Sequence, residues 1–145
     1  MKPALRLVKE IPQSAIVGGK DTQPADGAYR VTGNDPFIVY DVGDLKLNGK
    51  AAGILVFDFS AFNRNKSSRL AVYWSSRSTG DQSEKTAVRF SARNGKAIVP
   101  LDTAPRWLLA EGIKTIRVDV DDLPPGSKFM VSNVALFQRS EVEKR

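Results

Sequence analysis

The chain has 145 residues, no cysteine and no histidine, with 22 Lys and Arg against 16 Asp and Glu for a net charge of +6. That length fits one domain and can bury an ordinary core without disulfides. The missing residue types exclude Ser-His-Asp and Cys-His catalysis, thiol redox centres, and zinc held by thiolates or imidazoles, leaving carboxylate, lysine or tyrosine chemistry, oxygen-ligand metals, or binding.

In chain order, ten short runs rich in valine, isoleucine and phenylalanine read as strands. They are Ala4–Val8, Ala15–Val17, Tyr29–Val31, Phe37–Val42, Ile54–Phe59, Leu70–Trp74, Thr86–Ala92, Ala97–Leu101, Ile113–Val120 and Phe129–Phe137. Between them lie GGKDTQPADG, GDLKLNGK, NRNKSS, SRSTGDQSEK, RNGK and DDLPPGSK, whose glycines, prolines and small polar residues read as turns. One helical turn is expected, over Ala104–Gly112, with Pro105 at its first position. The pattern predicts an all-β fold: an antiparallel β-sandwich of about 8–10 short strands with at most one short helix. Residues 29–138 are expected to form its core. Residues 1–28 would add completing strands, and residues 139–145 would form a polar tail or linker.

Alternation assigns faces. Ile116, Val118 and Val120 share one side of their strand, and Thr115, Arg117 and Asp119 the other. Val88 and Phe90 oppose Arg89, Ser91 and Arg93, so Arg89 and Arg93 are expected to project from a sheet. The whole charge excess falls within residues 61–100, where eight basic side chains face Asp81 and Glu84 alone. A local field of this kind favours an anionic partner, or else is a solvated surface.

The stretches TGNDPFIVYDV, ILVFDFS, RLAVYWSS and IKTIRVDVDDLPPGSKFMVSNVALF, taken in that order, resemble the galactose-binding-like β-sandwich domains of bacteria. The similarity is to carbohydrate-binding-module-like domains attached to glycosyltransferases and other surface-polysaccharide proteins. It rests on Gly33-Asn34-Asp35-Pro36 entering a strand, Tyr73-Trp74 ending another, Ser83-Glu84 before the next, and Ile116-Arg117-Val118-Asp119 before a Pro-Gly turn. The resemblance implies a jelly-roll β-sandwich that serves as a non-catalytic carbohydrate-binding or accessory module of a larger polysaccharide-handling protein. Its partners would be a bacterial surface glycan, suited to anionic character, and neighbouring domains of the same chain.

Glycan sites pair aromatic rings, which meet sugar C–H faces, with planar polar side chains, which meet hydroxyls. The expected binding residues are Trp74, Arg77, Tyr73, Arg89, Arg93 and Glu84. Trp74 either presents its ring at the strand end beside Arg77 or continues the inward face of Leu70 and Val72, leaving Tyr73 outside. No cofactor is expected beyond a structural calcium, for which Asp119, Asp121 and Asp122 could supply hard oxygen ligands before Pro124-Pro125-Gly126. The alternatives are a basic nucleic-acid-binding β domain and a ligand-free assembly domain. Residues 75–89 carry no aromatic ring to stack bases, which weighs against the first. No apolar run approaches the length of a membrane span, and the charged N-terminal stretch does not read as a signal peptide, so a cytoplasmic location is expected.

Overall fold

The computed structural model describes residues 4–62, 68–78, 80 and 85–140. Two antiparallel sheets face each other. One contains β3 (Thr22–Ala25), β4 (Ala28–Val31), β11 (Lys128–Ser140), β6 (Ile54–Phe62) and β9 (Gly95–Pro100) in that order, with β1 (Ala4–Glu10) also paired to β11. The other runs β2 (Ile16–Lys20), β5 (Phe37–Asp41), β10 (Ile113–Val120), β7 (Ser68–Ser76) and β8 (Ala87–Ala92). This is an antiparallel β-sandwich, as the alternation and the turn residues predict. The short α1 (Pro105–Leu108) stands where the helical turn is expected, with Pro105 in its first turn. Among the described residues, no helix is long and apolar enough to cross a membrane.

Each of the ten expected runs overlaps a strand. One strand has no counterpart among them: β3, inside the segment read as a turn. It pairs with β4 through a hairpin closed by Asp26 and Gly27, both at positive φ (51° and 80°). An Asp-Gly pair at positive φ matches the twist of a two-residue hairpin, so the turn signal was present in the sequence. Pro24 hid the strand, since proline is confined to sheet edges, and β3 is an edge. The first 28 residues thus supply β1, β2 and β3, which pair with β11, β5 and β4 respectively.

The core lies between the sheets. From one side come Leu55, Phe57, Phe59, Phe129, Val131 and Leu136, and from the other Ile38, Tyr40, Leu70, Val72, Trp74, Ile116, Val118 and Val120. Trp107, carried by α1, closes one end of this space. Its indole meets Trp74 edge-to-face, with ring centroids 5.2 Å apart at 84°, and its Nε1–H donates to the Ala52 carbonyl at 3.0 Å. Backbone comes close behind it: a Cβ at Gly49 would overlap the Trp107 carbonyl, so the turn over Gly49–Ala51 can pack there only with glycine.

Two polar atoms in this core, Tyr40 Oη and Trp74 Nε1, have no hydrogen-bond partner among the described residues. Burial, and secondarily Tyr29, pushes the Tyr40 ionisation well above the ordinary tyrosine range. An unpaired buried hydroxyl costs free energy that a phenyl ring does not. Tyr40→Phe is therefore expected to raise stability in urea at neutral pH by about 1 kcal/mol. An acid whose folded pKa exceeds its unfolded value keeps its stability contribution below the unfolded value, about 10, and loses it as pH rises beyond. The wild-type chain should accordingly lose more stability than the variant between neutral pH and about pH 11. A variant less stable than wild type at neutral pH would show that the hydroxyl is satisfied.

Candidate functional site

Period-two alternation turns one residue of every pair in the five-stranded sheet away from the core, and the register aligns these residues into rows. In one row Val39, Arg117, Tyr73 and Ala87 stand side by side on β5, β10, β7 and β8. In the next are Phe37, Asp119, Ala71 and Arg89, and on the other side Asp41, Thr115 and Ser75. The sequence reaches this arrangement through strands 37–41, 68–76, 87–92 and 113–120, whose outward positions are a mixture of aromatic, cationic and acidic side chains.

Arg117 organises the face. Its guanidinium makes two hydrogen bonds to the Asp119 carboxylate, at 2.6 and 2.7 Å. The same group lies 4.0 Å from the Phe37 ring centroid and 4.5 Å from that of Tyr73, a cation between two π faces. Arg89 donates to Tyr73 Oη at 2.9 Å and places its guanidinium carbon 5.8 Å from the same ring. The order across the sheet is therefore Phe37, Arg117, Tyr73, Arg89. The side chain of Asp119 is 3% exposed and that of Arg117 21%. Burial pushes the Asp119 carboxyl up from its ordinary value, opposed by the Arg117 hydrogen bond, while that bond raises Arg117. Asp121, exposed at the end of β10, is also pushed up by desolvation, with Arg89 and Arg69 pulling it down.

The expected site residues distribute as follows. Tyr73 and Arg89 share the outer face, but Tyr73 is 8% exposed, covered on this side by the two arginines, so it supports them instead of offering a platform for a sugar. Trp74 is not at the surface. It is 0% exposed, because alternation through Leu70, Val72 and Trp74 continues inward and the space beside it is filled by Trp107. Arg77 lies past the end of β7 and lines a different hollow, with Lys46 and Lys114. Arg93 is exposed but follows the end of β8, so it does not share a strand face with Arg89. Glu84 lies outside the described residues. The exposed Arg89 and the half-buried Phe37 and Arg117 are the members of this cluster that reach the surface. Phe37 and Arg117 were missed as site residues; the alternation around them was readable, but their meeting was not.

Asp119, Asp121 and Asp122 do not converge. Asp119 is committed to Arg117, Asp122 Oδ2 accepts the Arg69 backbone N–H at 3.0 Å, and Asp121 is exposed. Among the described residues, no three carboxylates gather as a metal-holding group. A hollow of about 550 Å³ lies elsewhere, between the end of β1 and the bulge in β11 around Asn133, and among the described residues no aromatic side chain lines it.

Removing Arg117 would leave Asp119 buried without its counter-charge. Arg117→Met is expected to destabilise the domain in urea by about 3 kcal/mol. Adding Asp119→Leu to that variant should recover most of the loss, since two apolar side chains can replace a buried pair. An Arg117→Met cost below about 0.5 kcal/mol, typical of a surface change, would mean that the pair is solvated.

No protein-family model and no curated protein sequence matches the chain. Among solved structures, it is similar to CBM86, a low-affinity xylan-binding module from the xylanolytic gut symbiont Roseburia intestinalis. The TM-score is 0.56 at 9% identity, covering 91% of this chain and 95% of that one. It is also similar to CBM28, a carbohydrate-binding module specific for non-crystalline cellulose, with a TM-score of 0.52 at 12% identity over 79% of this chain and 78% of that one. At these identities the likeness establishes a common fold.

Proposed function

We propose that the chain is a non-catalytic carbohydrate-binding module that takes a polysaccharide along the outer face of its five-stranded sheet. The observation that carries this reading is the cluster Phe37, Arg117, Tyr73, Arg89, spread over two adjacent rows, in which an aromatic ring and two held guanidinium groups reach the surface from four strands. Sugars match such a surface: apolar C–H faces pack on a ring, and neighbouring hydroxyls accept paired N–H donors from a planar guanidinium. Holding Arg117 between two rings removes much of the rotamer freedom that an arginine otherwise loses on binding. The two similar folds, described as modules for xylan and for cellulose, support the same class of ligand.

The module serves within a larger bacterial polysaccharide-handling protein, a reading supported by the resemblance of residues 29–137 to domains of that setting. Its contribution there is to hold substrate near a neighbouring domain. The clustering of side chains on one face into ion pairs and ring contacts fits recognition better than acid–base chemistry. The carboxylate at its centre, Asp119, is tied to Arg117.

Affinity electrophoresis and calorimetry against xylan, non-crystalline cellulose and a panel of bacterial polysaccharides test this reading. The wild-type chain is expected to bind at least one of them. Phe37→Ala combined with Arg89→Ala is expected to weaken that binding at least tenfold, with the circular dichroism spectrum and melting curve preserved. Equal affinity in calcium and in EDTA is expected, because Asp119 is tied to Arg117 and no three carboxylates gather among the described residues. Folded wild-type protein that binds no polysaccharide, or a double variant that binds as well as wild type, would overturn the proposal.

A further inference from the structure

At the opposite end of the same sheet, a hollow of about 370 Å³ is lined by Gly43, Lys46, Asn48, Arg77, Gly112, Ile113 and Lys114. Three of these are cations brought from three separate places: the turn after Gly43–Leu45, the end of β7 and the start of β10. Among the described residues, no carboxylate lines it. Among the described residues, none of the three cations is in an ion pair, whereas Lys20, Lys96, Arg117 and Arg139 are. Asp41, Asp44 and Glu111 belong to the neighbouring segments but stand outside the lining, and Asp41 accepts the Gly43 backbone N–H at 3.0 Å. Like charges gathered without a counter-charge repel one another, an arrangement that an anion relieves.

The walls of this hollow are fixed by hydrogen bonds rather than left as loops. Arg77 N–H donates to the Gly112 carbonyl at 3.0 Å, Glu111 N–H to Ser78 Oγ at 2.7 Å, and Gly112 N–H to Asn48 Oδ1 at 3.0 Å. Ile113 N–H donates to the Leu47 carbonyl and Val42 N–H to the Lys114 carbonyl, each at 2.9 Å. The backbones that carry Lys46, Arg77 and Lys114 are therefore cross-tied to one another. Binding there would need ordering of the side-chain tips alone.

Along β7, Ala71, in the row of Arg89, and Ser76, next to Arg77, are roughly 17 Å apart. A polysaccharide lying along the strand from the Phe37–Arg89 end would reach the cationic hollow a few sugar units later. We infer that Lys46, Arg77 and Lys114 form an anion subsite that selects an acidic polysaccharide, taking a uronic acid carboxylate or a sulfate ester on a sugar of the bound chain. This rests on the polysaccharide-binding reading above and adds to it the class of glycan. A guanidinium and two ammonium groups suit either anion: arginine offers a planar pair of donors and the lysines add point charge.

The test compares polymers that differ in charge and not in backbone. Polygalacturonate, alginate and hyaluronan would each be titrated beside their carboxyl-reduced forms, and dextran sulfate beside dextran. The partners are the wild-type chain, a Lys46→Gln, Arg77→Gln, Lys114→Gln triple variant, and the Phe37→Ala, Arg89→Ala double variant. Wild type is expected to bind at least one charged polymer at least tenfold more tightly than its uncharged form. The triple variant should lose that preference while keeping its affinity for the uncharged polymer. The double variant should weaken on both forms. Preference for carboxylated over sulfated polymers, or the reverse, identifies the anion.

Equal affinity for charged and uncharged forms, or an unchanged preference in the triple variant, would overturn the subsite while leaving polysaccharide binding standing. Absence of binding to any polymer would overturn both. Tighter binding to an oligonucleotide than to every charged polymer, lost in the triple variant, would replace the glycan with nucleic acid.

Discussion

A buried carboxylate on the outside of a sheet is the constraint from which the rest of this surface follows. Asp119 sits among residues of the outward face, yet its side chain is 3% exposed, so its charge must be met within the protein. Arg117, two residues earlier on the same strand and hence on the same face, meets it with two hydrogen bonds. That contact fixes the guanidinium plane, and Phe37 and Tyr73 close on its two sides. Tyr73 in turn supports Arg89 through its hydroxyl. One paired charge thus orders four side chains from four strands into a single stiff cluster across two adjacent rows. Rigidity of this kind is useful to a site whose ligand is flexible, because little protein freedom is then lost on binding.

The sandwich separates stability from recognition by face. Inward positions of β5, β7 and β10 hold Tyr40, Trp74 and Ile116 against the second sheet, and Trp107 shuts one end. Outward positions of the same strands hold Phe37, Tyr73, Arg117 and the carboxylates. A strand residue cannot serve both, since the period of two sends neighbours to opposite sides. This is why Trp74 and Tyr73, adjacent in sequence, have different fates. It also explains why the cations do not form one patch. Arg89 and Arg69 lie near Asp121 at one end of the sheet, and Arg77 joins Lys46 and Lys114 at the other. The charge excess of residues 61–100 is a property of the sequence, while the surface charge draws on residues from well outside that segment.

Strand existence, the all-β class and the face of each residue were determined by the sequence itself, because alternation and turn residues act within a few positions of one another. Ile116, Val118 and Val120 opposite Arg117 and Asp119 could be assigned inward and outward from that pattern alone, and so could Leu70, Val72 and Trp74. Even the β3–β4 hairpin was written locally, in Asp26-Gly27. What only the tertiary structure decided is which outward residues meet. β10 lies between β5 and β7, so Phe37 and Tyr73 come together on either side of Arg117, which is distant in sequence from both. Lys46, Arg77 and Lys114 are likewise joined by hydrogen bonds among three distant turns. Periodicity carries information along a strand, whereas pairing order between strands is set by long-range burial, and a binding surface built across strands inherits that second, nonlocal determination.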